Sequence, residues 1–112
     1  MSNFLKDVKY KIIRNVVSEQ LCDFISEYFL LREKVAKTLI DNNAIPTFDE
    51  SWGMFNDPQA KGYYSHYSDT AMETLLEKVK PIMEKETGMS LIETYSYARI
   101  YKKGDELKRH KD

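Results

Sequence analysis

His110 and Asp112 are the residues of this 112-residue chain whose types and spacing point most directly at chemistry. Two apart on an extended strand, their side chains project from the same face, because strand side chains alternate with period two. An imidazole nitrogen and a carboxylate oxygen on one face are two of the three donors in a 2-His-1-carboxylate site, a ligand set suited to non-haem iron(II). Asp and Glu make up 18 of the 112 residues, so the same doublet also fits a solvated polar tail. The residues that precede it decide between the two.

Residues 91–101 split by parity into two faces. Leu91, Glu93, Tyr95, Tyr97, Arg99 and Tyr101 lie on one; Ile92, Thr94, Ser96, Ala98 and Ile100 form a small, mostly apolar other. A row of phenols and a guanidinium is more polar than a core tolerates without partners. It can line a pocket for an anionic ligand, or form a solvated outer face with an Arg99–Glu93 pair. Lys102-Lys103-Gly104-Asp105 predicts a tight turn that returns residues 106–112 antiparallel to this strand. His110 and Asp112 then lie beside the aromatic and basic row. A metal needs an imidazole and a carboxylate at about 2 Å, and an acidic cosubstrate needs cationic and hydroxyl donors beyond them.

The run Tyr95-Ser96-Tyr97-Ala98-Arg99-Ile100-Tyr101-Lys102-Lys103-Gly104-Asp105, continuing through Glu106-Leu107-Lys108-Arg109-His110-Lys111-Asp112, resembles the first metal-ligand segment of iron(II)/2-oxoglutarate dioxygenases. It is most similar to the prolyl 4-hydroxylase-like branch, where an Arg-x-Tyr-x-x-Gly element leads into His-x-Asp. Met72-Glu73-Thr74-Leu75-Leu76-Glu77-Lys78-Val79, with the helix exit Glu86-Thr87-Gly88, resembles microbial and phage-type members. The similarity covers roughly residues 50–112, and the first fifty only by helical pattern.

The resemblance implies a double-stranded β-helix, an eight-stranded jelly roll, in which His110 and Asp112 are iron ligands. Tyr101 would face the cosubstrate or substrate, with Tyr97 and Arg99 beside it as cofactor-binding residues. The implied cofactors are iron(II), 2-oxoglutarate and ascorbate. The implied reaction decarboxylates 2-oxoglutarate to succinate and hydroxylates a C–H bond of a substrate that nothing here identifies: a peptide, a protein side chain or a small metabolite. Leu107 stands where many relatives carry a Tyr. The distal His and the basic residue that grips the far carboxylate follow the His-x-Asp strand in this family, and neither can be assigned in these residues. Arg99 and Arg109, upstream, are not expected to take that second role. The chain is therefore expected to be the N-terminal portion of such an oxygenase, inactive by itself, with no assignable catalytic residue.

The elements that must position these residues follow from periodicity. Residues 8–14 alternate well enough for a short strand. Ser18 is a fitting N-cap for a helix to about Asp41, with Leu21, Phe24, Ile25, Tyr28, Phe29, Val35, Ala36, Leu39 and Ile40 as its apolar stripe. Residues 42–67 predict a long irregular loop, rich in aromatic residues, in which Trp52 and Phe55 cover a core edge. Ser68 or Asp69 caps a second helix that closes at Gly88, and Pro81 inside it predicts a kink or a split. The expected fold class is α+β: two main helices packed on a small antiparallel sheet, one domain, itself incomplete. Residues 1–89 would be helical support and 90–112 the first catalytic-sheet strands.

Composition narrows the function classes. Seventeen Lys and Arg against eighteen Asp and Glu argue against nucleic-acid binding by phosphate neutralisation. Cys22 is the only cysteine, which excludes a disulfide framework, and its apolar neighbours predict burial. No apolar run suggests a leader or a membrane span, so a reducing cytoplasm is expected. The sheet edge left after residue 112 needs a cover, such as a second copy. From another class, the chain could be a small non-catalytic α+β interaction module using loop 48–67 and the sheet edge. A metal site from His66 with His110 is a further reading, although Tyr-Ser-His-Tyr-Ser favours a surface or capping His66.

Overall fold

The structure, a computed structural model, describes residues 10–56 and 62–105. Two helices and a four-stranded antiparallel sheet make an α+β arrangement. Helix α1 spans Glu19–Asp41. It starts where expected because the Ser18 hydroxyl accepts the Leu21 N–H at 3.1 Å, satisfying one of the helix's orphan donors. Its inward stripe buries Phe29 and Ala36 against the sheet.

The aromatic segment 42–67 is not the irregular loop its composition suggests; it supplies three of the four strands. Strands β1 (Phe48–Asp49), β2 (Gly53–Met54) and β3 (Ser65–Tyr67) form a meander completed by β4 (Tyr97–Arg99). Phe48 pairs with Met54, Met54 with Ser65 and Ser65 with Arg99, one rung across all four strands. These strands are too short for alternation to announce them, and it is the pairing that makes them. The β1–β2 turn is held by Asp49, whose Oδ1 accepts the N–H groups of Ser51 and Trp52 at 2.9 and 3.0 Å. Tyr64 is the largest fully buried side chain, packing with Phe29 and Ala36. Trp52 and Phe55 close this core from the side, as expected.

Gly53 is the position where the meander needs a missing side chain. Its φ is +115°, and an added Cβ would lie 2.6 and 2.7 Å from the Tyr64 ring carbon and hydroxyl and 2.8 Å from the Ser65 carbonyl. Gly53→Ala is expected to lower stability by about 3 kcal/mol, combining backbone strain with overpacking. A denaturant midpoint unchanged from the parent would refute this account of the turn.

Helix α2 spans Thr70–Thr87, capped by Asp69, whose Oδ1 accepts the Met72 N–H at 3.2 Å. It ends at Gly88 in the left-handed region, φ 71°. The helix runs through Pro81 without splitting. Pro81 lacks one N–H, but it and Glu77, four residues back, are both exposed, so water can serve the carbonyl that loses its donor.

Three other expectations are corrected. Of the strand expected over 8–14, the described residues 10–14 form none: no described segment pairs with them, Tyr10 and Ile12 are exposed, and Lys11 instead ties to the Glu86 carbonyl at 2.7 Å. Residues 90–96 carry no regular structure, so the extended run narrows to Tyr97–Arg99, and Ile92 is exposed rather than packed. Cys22 is exposed, as are Leu21 and Phe24 beside it in the first turns of α1. No helix among the described residues is long and apolar enough to cross a membrane.

Candidate functional site

Strand β4 sits at one end of the strand order and delivers the three predicted cofactor-binding residues together. Arg99 donates through Nε and Nη2 to the Tyr97 hydroxyl at 3.0 and 2.7 Å, and through Nη1 to the Tyr101 hydroxyl at 3.1 Å. Its guanidinium also lies 5.3 and 5.7 Å from the two ring centroids. Burial alone would lower its pKa, but the hydrogen bonds to Tyr97 and Tyr101 outweigh this and hold it above the ordinary value. Arg99 is therefore a fixed cation. The Arg99–Glu93 pair of the solvated-face alternative is not formed. Glu93 instead meets Lys80 at 2.7 Å, which lowers the Glu93 pKa and raises that of Lys80.

Tyr97, Arg99 and Tyr101 edge an open groove of about 520 Å³ between β4 and α1, whose floor includes Ile25, Phe29 and Ile100. The turn expected after Tyr101 is present: Asp105 donates its N–H to the Lys102 carbonyl at 2.8 Å, and its carboxylate accepts the Lys102 N–H at 2.6 Å. His110 and Asp112, with Leu107 and Arg109, lie outside the described residues. Among the described residues, no group of three His, Cys, Asp or Glu side chains is placed to hold a metal. The pairing of His66 with His110 likewise falls outside them.

A second cluster escaped the sequence reading. His66 is buried, 4% exposed, not on the surface. Its Nε2 lies 2.9 Å from the Glu50 carbonyl, so that nitrogen carries the hydrogen, and Nδ1 faces Arg32 Nη2 at 3.5 Å. Asp69, 3% exposed, accepts from the Tyr28 hydroxyl at 2.7 Å. Arg32 Nε lies 3.2 Å from Asp69 Oδ2, an ion pair by distance whose N–H direction makes no hydrogen bond. Arg32 also donates to the Ser51 carbonyl and stacks 4.9 Å from the Trp52 ring centroid. One guanidinium thus joins α1, the β1–β2 turn and the start of α2. The signal was available: Arg32 falls four residues after Tyr28, inside the apolar stripe, where a cation needs a partner.

Burial, then the hydrogen bond to Asp69, raises the Tyr28 pKa above 10.0. Burial does the same for Tyr64, against the opposing pull of Arg32. Raised phenol values favour the protonated folded state, so their contribution is complete below pH 10 and fades as pH rises through the folded values. Spectrophotometric titration is expected to show two phenols ionising after the exposed ones, with stability falling in that alkaline window. Eight phenols titrating together would contradict it.

No protein-family model, curated protein or solved structure matches this chain.

Proposed function

We propose that this chain forms the N-terminal part of an iron(II)/2-oxoglutarate-dependent oxygenase of the prolyl 4-hydroxylase-like kind. In that reading its sheet is the start of the jelly roll and His110 and Asp112 are two iron ligands. The observation that carries it is the Tyr97–Arg99–Tyr101 clamp on the groove rim, just before the turn that leads into the His-x-Asp segment. The donor set fits the cosubstrate in kind. A fixed guanidinium attracts a carboxylate, and the Tyr101 hydroxyl, having accepted from Arg99, directs its own hydrogen elsewhere. The apolar groove floor limits water around bound substrate carbon. When bound, iron(II) and 2-oxoglutarate supply the oxidising chemistry that hydroxylates a C–H bond, with ascorbate as reductant. The chain's own residues bind, orient and exclude water. The setting proposed is a reducing cytoplasm, with a second copy or further chain covering the β4 edge.

The experiment is a 2-oxoglutarate titration, with manganese(II) replacing iron, of the full natural chain that carries these residues. Tyrosine fluorescence and NMR report on Tyr97 and Tyr101. Arg99→Met is expected to weaken binding about tenfold, the worth of one charge-assisted hydrogen bond, and Tyr101→Phe somewhat less. Binding unchanged in both variants would remove the clamp from the cosubstrate site.

The non-catalytic module keeps one observation in its favour. Tyr67, Tyr95 and Tyr97 form an exposed aromatic patch, with Tyr67 centroids 5.6 and 4.4 Å from those of Tyr95 and Tyr97. Such a patch suits a partner surface as well as a substrate.

A further inference from the structure

We infer that the cavity at the β1–β2 turn binds a cationic side chain, of the lysine or arginine type, presented by a peptide. The cavity holds about 380 Å³, within the range of small-ligand sites. Its walls combine Phe48, Tyr67 and Met54 with the acidic pair Asp49 and Glu50 and the edge of His66. Met54 and His66 are buried and give it a fixed floor, while Phe48 and Tyr67 remain 49% and 45% exposed at its mouth.

The charge is one-sided. Among the described residues no Lys or Arg lines the cavity. Among the described residues no ion pair engages Asp49 or Glu50. Arg32, whose Nη2 lies 3.5 Å from His66 Nδ1, is matched by Asp69 at 3.2 Å. Asp49 is pinned by the turn N–H groups it accepts, and the Glu50 backbone by His66 at its carbonyl. Negative charge and aromatic faces therefore sit on a rigid frame, which suits an ammonium or guanidinium flanked by rings. An anionic occupant meets repulsion, and a purely apolar one leaves the Glu50 carboxylate unmatched.

The other end of the sheet has the opposite sign. Phe48, Met54, Ser65 and Arg99 are successive partners across the four strands, which places the acidic β1 end of the cavity and Arg99 roughly 14 Å apart, three strand spacings. A peptide lying across the strands with its cationic side chain at β1 meets both poles with matching charge. The cavity's chemistry does not depend on the oxygenase reading; if that reading holds, the cavity anchors the substrate.

The test is an NMR titration of the labelled protein with acetyl-Gly-Lys-Gly-amide, its norleucine counterpart and its glutamate counterpart, at low and high salt. The lysine peptide is expected to shift Phe48, Glu50 and Tyr67 saturably, to bind at least about threefold tighter than the norleucine peptide, and to weaken with salt. Glu50→Gln and Phe48→Ala are each expected to weaken it about threefold, with circular dichroism showing the fold retained. Equal binding of lysine and norleucine peptides, shifts lying elsewhere, or a Glu50→Gln variant that binds unchanged would overturn the inference. Adding 2-oxoglutarate with manganese(II) to the same samples reports on Tyr101, so cosubstrate binding and peptide binding fail or succeed separately.

Discussion

Asp69→Ala is expected to destabilise this protein by about 3–5 kcal/mol, the usual consequence of removing one partner from a buried ion pair. Three losses coincide. Arg32 keeps its charge, 16% exposed at the side chain, without the carboxylate 3.2 Å away. The Tyr28 hydroxyl loses its acceptor at 2.7 Å. Helix α2 loses the N-cap that receives the Met72 N–H. For a domain of this size such a loss is a large share of the total stability. Asp69→Asn separates the contributions, since its side-chain oxygen still caps the helix while the charge is gone; it is expected to be milder than Ala. Arg32→Met in the Asp69→Ala background is expected to recover part of the loss, because it removes the unpaired cation and retains packing against Trp52. Denaturant unfolding of the parent, Asp69→Ala, Asp69→Asn, Arg32→Met and the double variant measures this. Strict additivity of Arg32→Met and Asp69→Ala would mean the pair is not coupled.

His110→Ala is expected to abolish measurable metal binding if the proposed function is right. Residues 1–112 contribute two protein donors to the proposed site, so removing one leaves a single carboxylate. The affinity loss should exceed the roughly 100-fold upper end seen for groups that only orient a ligand. Asp112→Ala is expected to match it. Lys111→Ala is the control, because the proposed site takes its donors from positions 110 and 112 and not from 111. With two donors only, these residues alone are expected to bind iron(II) weakly and to release no succinate from 2-oxoglutarate. Anaerobic iron(II) titration by calorimetry reads the first effect and a succinate assay the second. A His110→Ala protein that binds iron(II) as tightly as its parent would end the metal reading.

Local signals determined both helices of this protein. Ser18 and Asp69 offer side-chain oxygens to nearby N–H groups, Gly88 adopts a left-handed φ, and the apolar stripes repeat at helical spacing, so each helix could be placed from its own residues. The clamp residues were legible for the same reason: Tyr97, Arg99 and Tyr101 share a parity, and parity holds wherever the backbone is extended. Tertiary structure alone decided the sheet. Strands of two and three residues have no pattern of their own; Phe48, Met54 and Ser65 belong together only because their backbones pair. The same applies to residues 10–14, which alternate like a strand but pair with no described segment, and to His66, which meets Arg32 from the middle of α1 and Asp69 from the N-cap of α2. Helix caps act over three or four residues, whereas pairing and charge compensation join residues tens of positions apart, and no local spacing records which of them will meet.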